Sequence, residues 1–179
     1  MAKIEIYPSK IKTILFLVVS LSLLISGICF YKIIFLNKSL FSKSVLFLGF
    51  LLFVFGVIYS LFLLFRKSPL LIINNDEIVI LHPFRKTILI KFLDIQSFSV
   101  ISNRFRGIPT NRHILIELKK PSDKYQNTYY YKNLKRISVK LANSEYGIQT
   151  SFLDIGYKDL LKTLNLRLKK HQLITSSIK

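Results

Sequence analysis

The chain has 179 residues, 51% of them hydrophobic, and its mean hydropathy of +0.41 lies above that of ordinary water-soluble domains. It carries 27 Lys and Arg against 9 Asp and Glu, a formal net charge of +18. The 13% aromatic content excludes intrinsic disorder, the single cysteine excludes a disulfide scaffold or a cysteine-based zinc site, and six glycines exclude a collagen-like chain.

Two stretches hold most of the hydrophobicity. No residue is charged over 13–31 or over 45–65. As helices these spans measure roughly 29 and 32 Å, matching a bilayer core of about 30 Å. The second is rich in Phe and Leu on every face, as a lipid-exposed helix must be. Two transmembrane helices are therefore expected, at about 13–35 and 45–65. A cleaved leader fits the first stretch less well, because the apolar run is long and no small-residue cleavage site follows. Cys29 follows Ile28 rather than a small residue, so it reads as a packing or lipid-facing side chain and not as a lipidation site.

Residues 32–44 are too few for a domain, so the two helices form an antiparallel hairpin with both chain ends on one side. Lys3, Lys10, Lys12, Arg66, Lys67 and Arg85 flank the outer ends, against Lys32, Lys38 and Lys43 in the connection. The positive-inside rule then makes both termini cytoplasmic and the protein a multi-pass component of a bacterial inner membrane. Residues 1–12 are expected to be a cytoplasmic leading segment, 13–65 the hairpin, and 66–179 one small soluble domain.

That domain carries 21 Lys and Arg against 8 Asp and Glu, a net of +13. Alternation with a period of two dominates it. Ile88, Ile90 and Phe92, then Ile114, Ile116 and Leu118, then Ile137, Val139 and Leu141 each alternate with other residues. This pattern buries one face of a strand and wets the other. Together with 70–73, 78–82, 95–102 and 147–153 these segments give seven expected strands, the first two joined by the turn Asn74-Asn75-Asp76-Glu77. Tyr157, Leu160, Leu161, Leu164 and Leu168 then recur at helical spacing, with Asp154 and Asp159 at the start and Arg167, Lys169, Lys170 and His171 in the last turn. The expected class is α+β: a two-helix transmembrane hairpin, then a seven-stranded antiparallel domain with one C-terminal helix.

Three segments carry a resemblance: Ile6-Tyr7-Pro8-Ser9-Lys10, Ser68-Pro69-Leu70-Leu71, and Ile88-Leu89-Ile90-Lys91-Phe92-Leu93-Asp94-Ile95. The chain resembles a group of poorly characterised bacterial membrane proteins with an N-terminal two-helix hairpin and a pleckstrin-homology-like (PH-like) domain. The resemblance implies a PH-like fold in which Asp94 marks a turn between strands and Ile95 enters the core. It implies no catalytic residues.

No catalytic constellation emerges from the residues themselves. His82, His113 and His171 have no partners at metal-ligand spacing, and the one cysteine sits in an apolar span. Gly107, Gly147 and Gly156 are isolated, so no phosphate-binding loop is present. The chain is therefore expected to be neither an enzyme nor a cofactor or metal protein. Charge is what stands out. Arg104, Arg106 and Arg112 surround Gly107-Ile108-Pro109 in an expected loop, and Lys119, Lys120, Lys124, Lys132, Lys135 and Arg136 bracket Tyr125 and Tyr129-Tyr130-Tyr131.

Of these, Arg104, Arg106, Arg112, Lys119, Lys120, Lys135 and Arg136 are the candidate contacts for anionic lipid headgroups or for a protein partner, since basic residues gain roughly 1 kcal/mol each near an anionic leaflet. A loose sheet edge offers strand addition as another mode of partner binding. Nucleic acid is disfavoured, because no recognised nucleic-acid motif accompanies the charges and the anchor restricts access. The alternative function is a small immunity or stress protein that neutralises a toxin at the membrane. An enzyme acting on lipid would need convergent polar groups that the two spans do not supply.

Overall fold

The computed structural model describes residues 3–29, 39–83, 86–106 and 108–177. The two apolar stretches are helices: α1 is Lys10–Cys29 and α2 is Leu40–Phe65, both long and apolar enough to cross a membrane. Helix α1 starts three residues earlier than expected, and its expected continuation to residue 35 lies outside the described residues. Helix α2 starts five residues earlier, because the Ser39 hydroxyl accepts the backbone N–H of Ser42 and so caps it. The helices pack antiparallel, with Ser20 against Gly56 and Gly27 against Phe50.

Burial in this pair is inverted relative to a water-soluble core. Thr13, Ser20, Gly56, Ser60 and Leu63 are the buried positions, while Leu, Ile and Phe side chains are exposed along both helices. Thr13 and Ser60 return their hydroxyl hydrogens to the carbonyls of Ser9 and Gly56, so the buried oxygens are satisfied within each helix. A Cβ on Gly56 would come 2.8 Å from the Ser20 Oγ, so the absence of a side chain there allows the close approach. Gly49 meets nothing within 4 Å and plays no such part.

The second compact unit joins Met1–Tyr7 to Pro69–Lys179, and the helical pair occupies Pro8–Ser68. Among the described residues seven strands form, but not the expected seven. Strand β1 is Ile4–Ile6, within the expected leading segment 1–12, for which no strand was expected. It pairs antiparallel with β2, Leu71–Ile73, in the register Ile4–Ile73, Glu5–Ile72 and Ile6–Leu71. Strands β3 (Glu77–Ile80) and β4 (Ile88–Lys91) complete a four-stranded antiparallel sheet in sequence order. The β2–β3 turn closes as composition suggests, with Asn74 donating its backbone N–H to the Glu77 carbonyl at 2.9 Å.

A single 3-10 turn, Phe92–Asp94, leads into the second sheet and places Ile95 fully inside. That sheet is β5 (Ile95–Phe105), β6 (Ile108–Leu118) and β7 (Tyr146–Gln149), antiparallel in that order. Ile73, Ile78, Ile95, Ile114 and Ile116 meet in one core, which helix α6 (Tyr157–Ser177) covers with Leu160, Leu164 and Leu168. Leu166 is exposed, as its position off that stripe requires.

The expected strand over 137–142 does not exist. Residues 119–145 carry three short helices instead: α3 (Asp123–Gln126), α4 (Tyr129–Ile137) and α5 (Val139–Ala142). Each begins on a hydroxyl cap, Ser122 accepting from Tyr125 N–H, Thr128 from Tyr131 N–H and Ser138 from Leu141 N–H. Ser138 overturns the alternation: it ends α4 in an extended conformation and restarts the chain as α5. Ile137 and Val139 are left exposed, and only Leu141 and Ala142 turn inward.

Candidate interaction surfaces

The β domain has two chemically distinct ends, and hydrogen bonds between its elements define them. At one end the chain leaves at Tyr7 and returns at Pro69. Leu70 donates its N–H to the Ile6 carbonyl at 2.8 Å, and Asp154 donates to the Tyr7 carbonyl at 3.0 Å. This places the start of α6 at the same corner. Thr150 donates both its N–H and its hydroxyl to the Arg112 carbonyl, and the Arg112 guanidinium lies 4.0 Å over the Tyr157 ring. Arg112 is thus partly held by a cation–π contact.

Past this point β5 and β6 continue without β7, which pairs only with His113–Ile116. The two-stranded ribbon runs on through Arg104–Pro109 to Phe105–Ile108, about 13 Å beyond Arg112 at the usual strand rise. Arg106 caps it, exposed, at φ 50°, the left-handed conformation that two-residue hairpin turns favour. The segment expected as a loop is therefore the tip of a hairpin. Gly107 and the side chain of Arg104 lie outside the described residues.

The opposite end is built from the β2–β3 turn, the 3-10 turn and the second half of α6. Phe92 donates its N–H to the Asp76 carbonyl, and Lys119 donates to that of Asp94. Arg167, buried on the apolar stripe of α6, donates to the Asn74 carbonyl at 2.9 Å and to Asn75 Oδ1 at 3.2 Å. His171 stacks on Phe92 and lies 3.7 Å from the Asp76 carboxylate. The three short helices belong to this end, because Leu118 donates to the Asn143 carbonyl and Glu145 accepts both the N–H and the hydroxyl of Ser122.

The seven candidate residues consequently fall into two groups rather than one site. Arg106, Arg112 and the backbone of Arg104 belong to the end where the chain enters and leaves. Lys119, Lys120, Lys135 and Arg136 belong to the opposite end. Lys120 approaches Asp123 at 3.9 Å, but both are highly exposed and the pair contributes little. Lys135 stands 6.0 Å from the centroid of the buried Tyr131 ring, which meets Tyr125 edge-on. Burial, ahead of the neighbouring Tyr130 and Glu145, raises the Tyr125 hydroxyl above its usual pKa; burial, followed by Glu145, does the same for Tyr146.

Around Lys132, Lys135 and Arg136 lie large exposed side chains: Tyr129 at 81%, Tyr130 at 64%, Ile137 at 77% and Val139 at 57%. Among the described residues no cluster of three or more His, Cys, Asp or Glu is arranged to hold a metal ion. Compared with known proteins, the chain matches no family model, no curated sequence and no solved structure.

Residues that organise these ends were partly invisible in the sequence. Arg167 had a signal, since it sits three residues after Leu164 on the apolar stripe. Tyr7 and Asp154 had none, because a backbone contact leaves no trace in side-chain patterning.

Proposed function

We propose that the chain is a non-enzymatic, membrane-anchored interaction module whose ribbon of β5 and β6 rests against anionic headgroups. Helices α1 and α2 cross the bilayer, and the β domain lies at its cytoplasmic face. The pairing of β1 with β2 supports two crossings, because one sheet holds the segments before α1 and after α2. The inverted burial of the helical pair supports a hydrocarbon surrounding. The arrangement of four strands, then three, then a closing helix agrees with a PH-like fold. In that reading the transmembrane pair is an insertion between the first two strands.

One observation carries the lipid contact: the ribbon extends from the end through which the chain joins its anchor. Only two residues, Pro8 and Ser9, separate Tyr7 from α1, so the connection between this end and the helix is short. The two ends of the β domain are well separated: along α6 from Tyr157 to His171 the rise is about 21 Å, more than twice the screening length of about 8 Å at physiological salt. A leaflet touching the ribbon would therefore act on Arg104 and Arg106 far more than on Lys135 and Arg136.

The test uses the full-length protein in nanodiscs, with Cys29→Ser and a polarity-sensitive dye at Ser102→Cys. Replacing neutral by anionic lipid should shift the emission to the blue, and high salt or Arg104→Ala with Arg106→Ala should reverse it. A dye at Lys135→Cys should stay unchanged. Equal spectra at Ser102→Cys in both lipids would sink the reading.

A further inference from the structure

We infer that the end of the β domain opposite Tyr7 and Pro69, built on α4 and α5, is a docking face for an acidic protein partner. The inference takes the bilayer position of the opposite end from the proposed function and goes beyond it by assigning a second surface. Residues 119–145 contain seven Lys and Arg against two acids, Asp123 and Glu145. Glu145 is engaged by Ser122, and Asp123 lies beside Lys120, so neither offsets the cations of α4.

The exposed apolar side chains distinguish this face from a merely solvated one. Tyr130 and Ile137 are seven apart on α4 and so share a side of the helix, while Tyr129, Lys132 and Arg136 occupy the adjoining side. Contacts within the segment organise the presentation. The hydroxyl caps fix the start of each short helix, and Tyr131 locks α4 down against Tyr125. A preordered aromatic and cationic surface loses little entropy when it is covered. Tyr and Arg are also the residues that most often dominate binding energy.

Charge selects the occupant. A second copy would set cations against cations across a two-fold contact, which is repulsive. A leaflet would satisfy the cations but, like any headgroup layer, would not account for the exposed Ile137 and Val139 beside them. A nucleic acid would satisfy the cations but gain nothing from Ile137 and Val139. What fits is a protein segment that rings aliphatic or aromatic side chains with carboxylates.

The experiment replaces Tyr130 or Ile137 by photoreactive p-benzoylphenylalanine in the full-length chain within its native membrane. Leu166, exposed on α6 outside this face, serves as the control position. Irradiation should give the same protein adduct from Tyr130 and Ile137 and not from Leu166, and the cross-linked peptide should be rich in Asp and Glu. Reversing Lys132, Lys135 and Arg136 to Glu should reduce the yield about tenfold, the scale expected for three exposed charge contacts.

An unchanged thermal midpoint shows that the reversed chain is folded; if it is not, the milder Gln replacements at the same three positions take its place. Absence of an adduct, a lipid or RNA adduct, an equal yield from Leu166, or indifference to the charge changes each overturns the inference. The dye at Ser102→Cys, measured on the same protein, separates this failure from a failure of the lipid-docking reading.

Discussion

The two units of this chain bury opposite kinds of residue. In the β domain Ile73, Ile78, Ile95, Ile114 and Ile116 are fully enclosed, and Glu117 and Arg167 are the charged residues buried with them. In the helical pair Thr13, Ser20, Gly56 and Ser60 are enclosed, and the large apolar side chains face outward. Two different solvents would produce this contrast. Water drives aliphatic groups together, whereas hydrocarbon does not, and there only close packing and satisfied polar groups favour contact.

The largest expected effect comes from truncating the same kind of side chain in each unit. Ile114→Ala should destabilise the β domain by about 2–5 kcal/mol, because both the transfer term and a cavity oppose it. Leu48→Ala, at a position 68% exposed on α2, should cost less than about 0.5 kcal/mol. Chemical denaturation of the full-length protein in micelles measures both. Comparable losses would dissolve the contrast between the units.

Next comes the helix contact itself. Gly56→Leu forces a side chain against Ser20 and should weaken the pair by about 1–3 kcal/mol, whereas Gly49→Leu enters open space and should leave it intact. Disulfide trapping between Gly27→Cys and Phe50→Cys, in a Cys29→Ser background, reports the difference as a yield. A similar magnitude, about 1–3 kcal/mol, is expected from Arg167→Met, which strips the Asn74 carbonyl and Asn75 of their buried donor. Amide exchange at the β2–β3 turn should rise in that variant before exchange in β6 does.

The smallest effect concerns β1. The Glu5 carboxylate accepts from Lys3 and from the Tyr7 hydroxyl, and these bonds hold its pKa below the ordinary glutamate value; the same bond raises that of Tyr7. A group depressed in the folded state stabilises it above the unfolded pKa. That contribution disappears as pH falls through the lower, folded value. Protection at Ile4 and Ile6, taken relative to the intrinsic exchange rate at each pH, should therefore fall on acidification below the usual glutamate range, and Glu5→Gln should remove that fall.

The reach of the sequence is clearest in particular elements. The apolar spans were legible because an uncharged run of helical length is a local property. Strands β2 to β6 and the leucine stripe of α6 were legible for the same reason, through alternation and 3.6-residue periodicity. Strand β1 was not. It has only three residues, and its partner Ile73 lies beyond both helices, so no local window contains the pairing. The segment 137–142 misled because Ile137, Val139 and Leu141 alternate like a strand, yet Ser138 and Thr128 supply helix caps that local hydroxyl geometry favours.

The candidate basic residues could not be sorted into groups from the sequence. Two clusters a few residues apart in sequence, 104–112 and 119–136, lie at opposite ends because β6 runs the length of the domain between them. By itself the sequence determined the two apolar spans, the excess of positive charge and the faces of most strands, since each follows from the transfer free energy of neighbouring side chains. Tertiary structure alone decided that the first strand pairs with the strand that follows both helices in the chain and that the cations divide between two ends. Both depend on hydrogen bonds between residues distant in the chain, whose formation only the closed fold makes favourable.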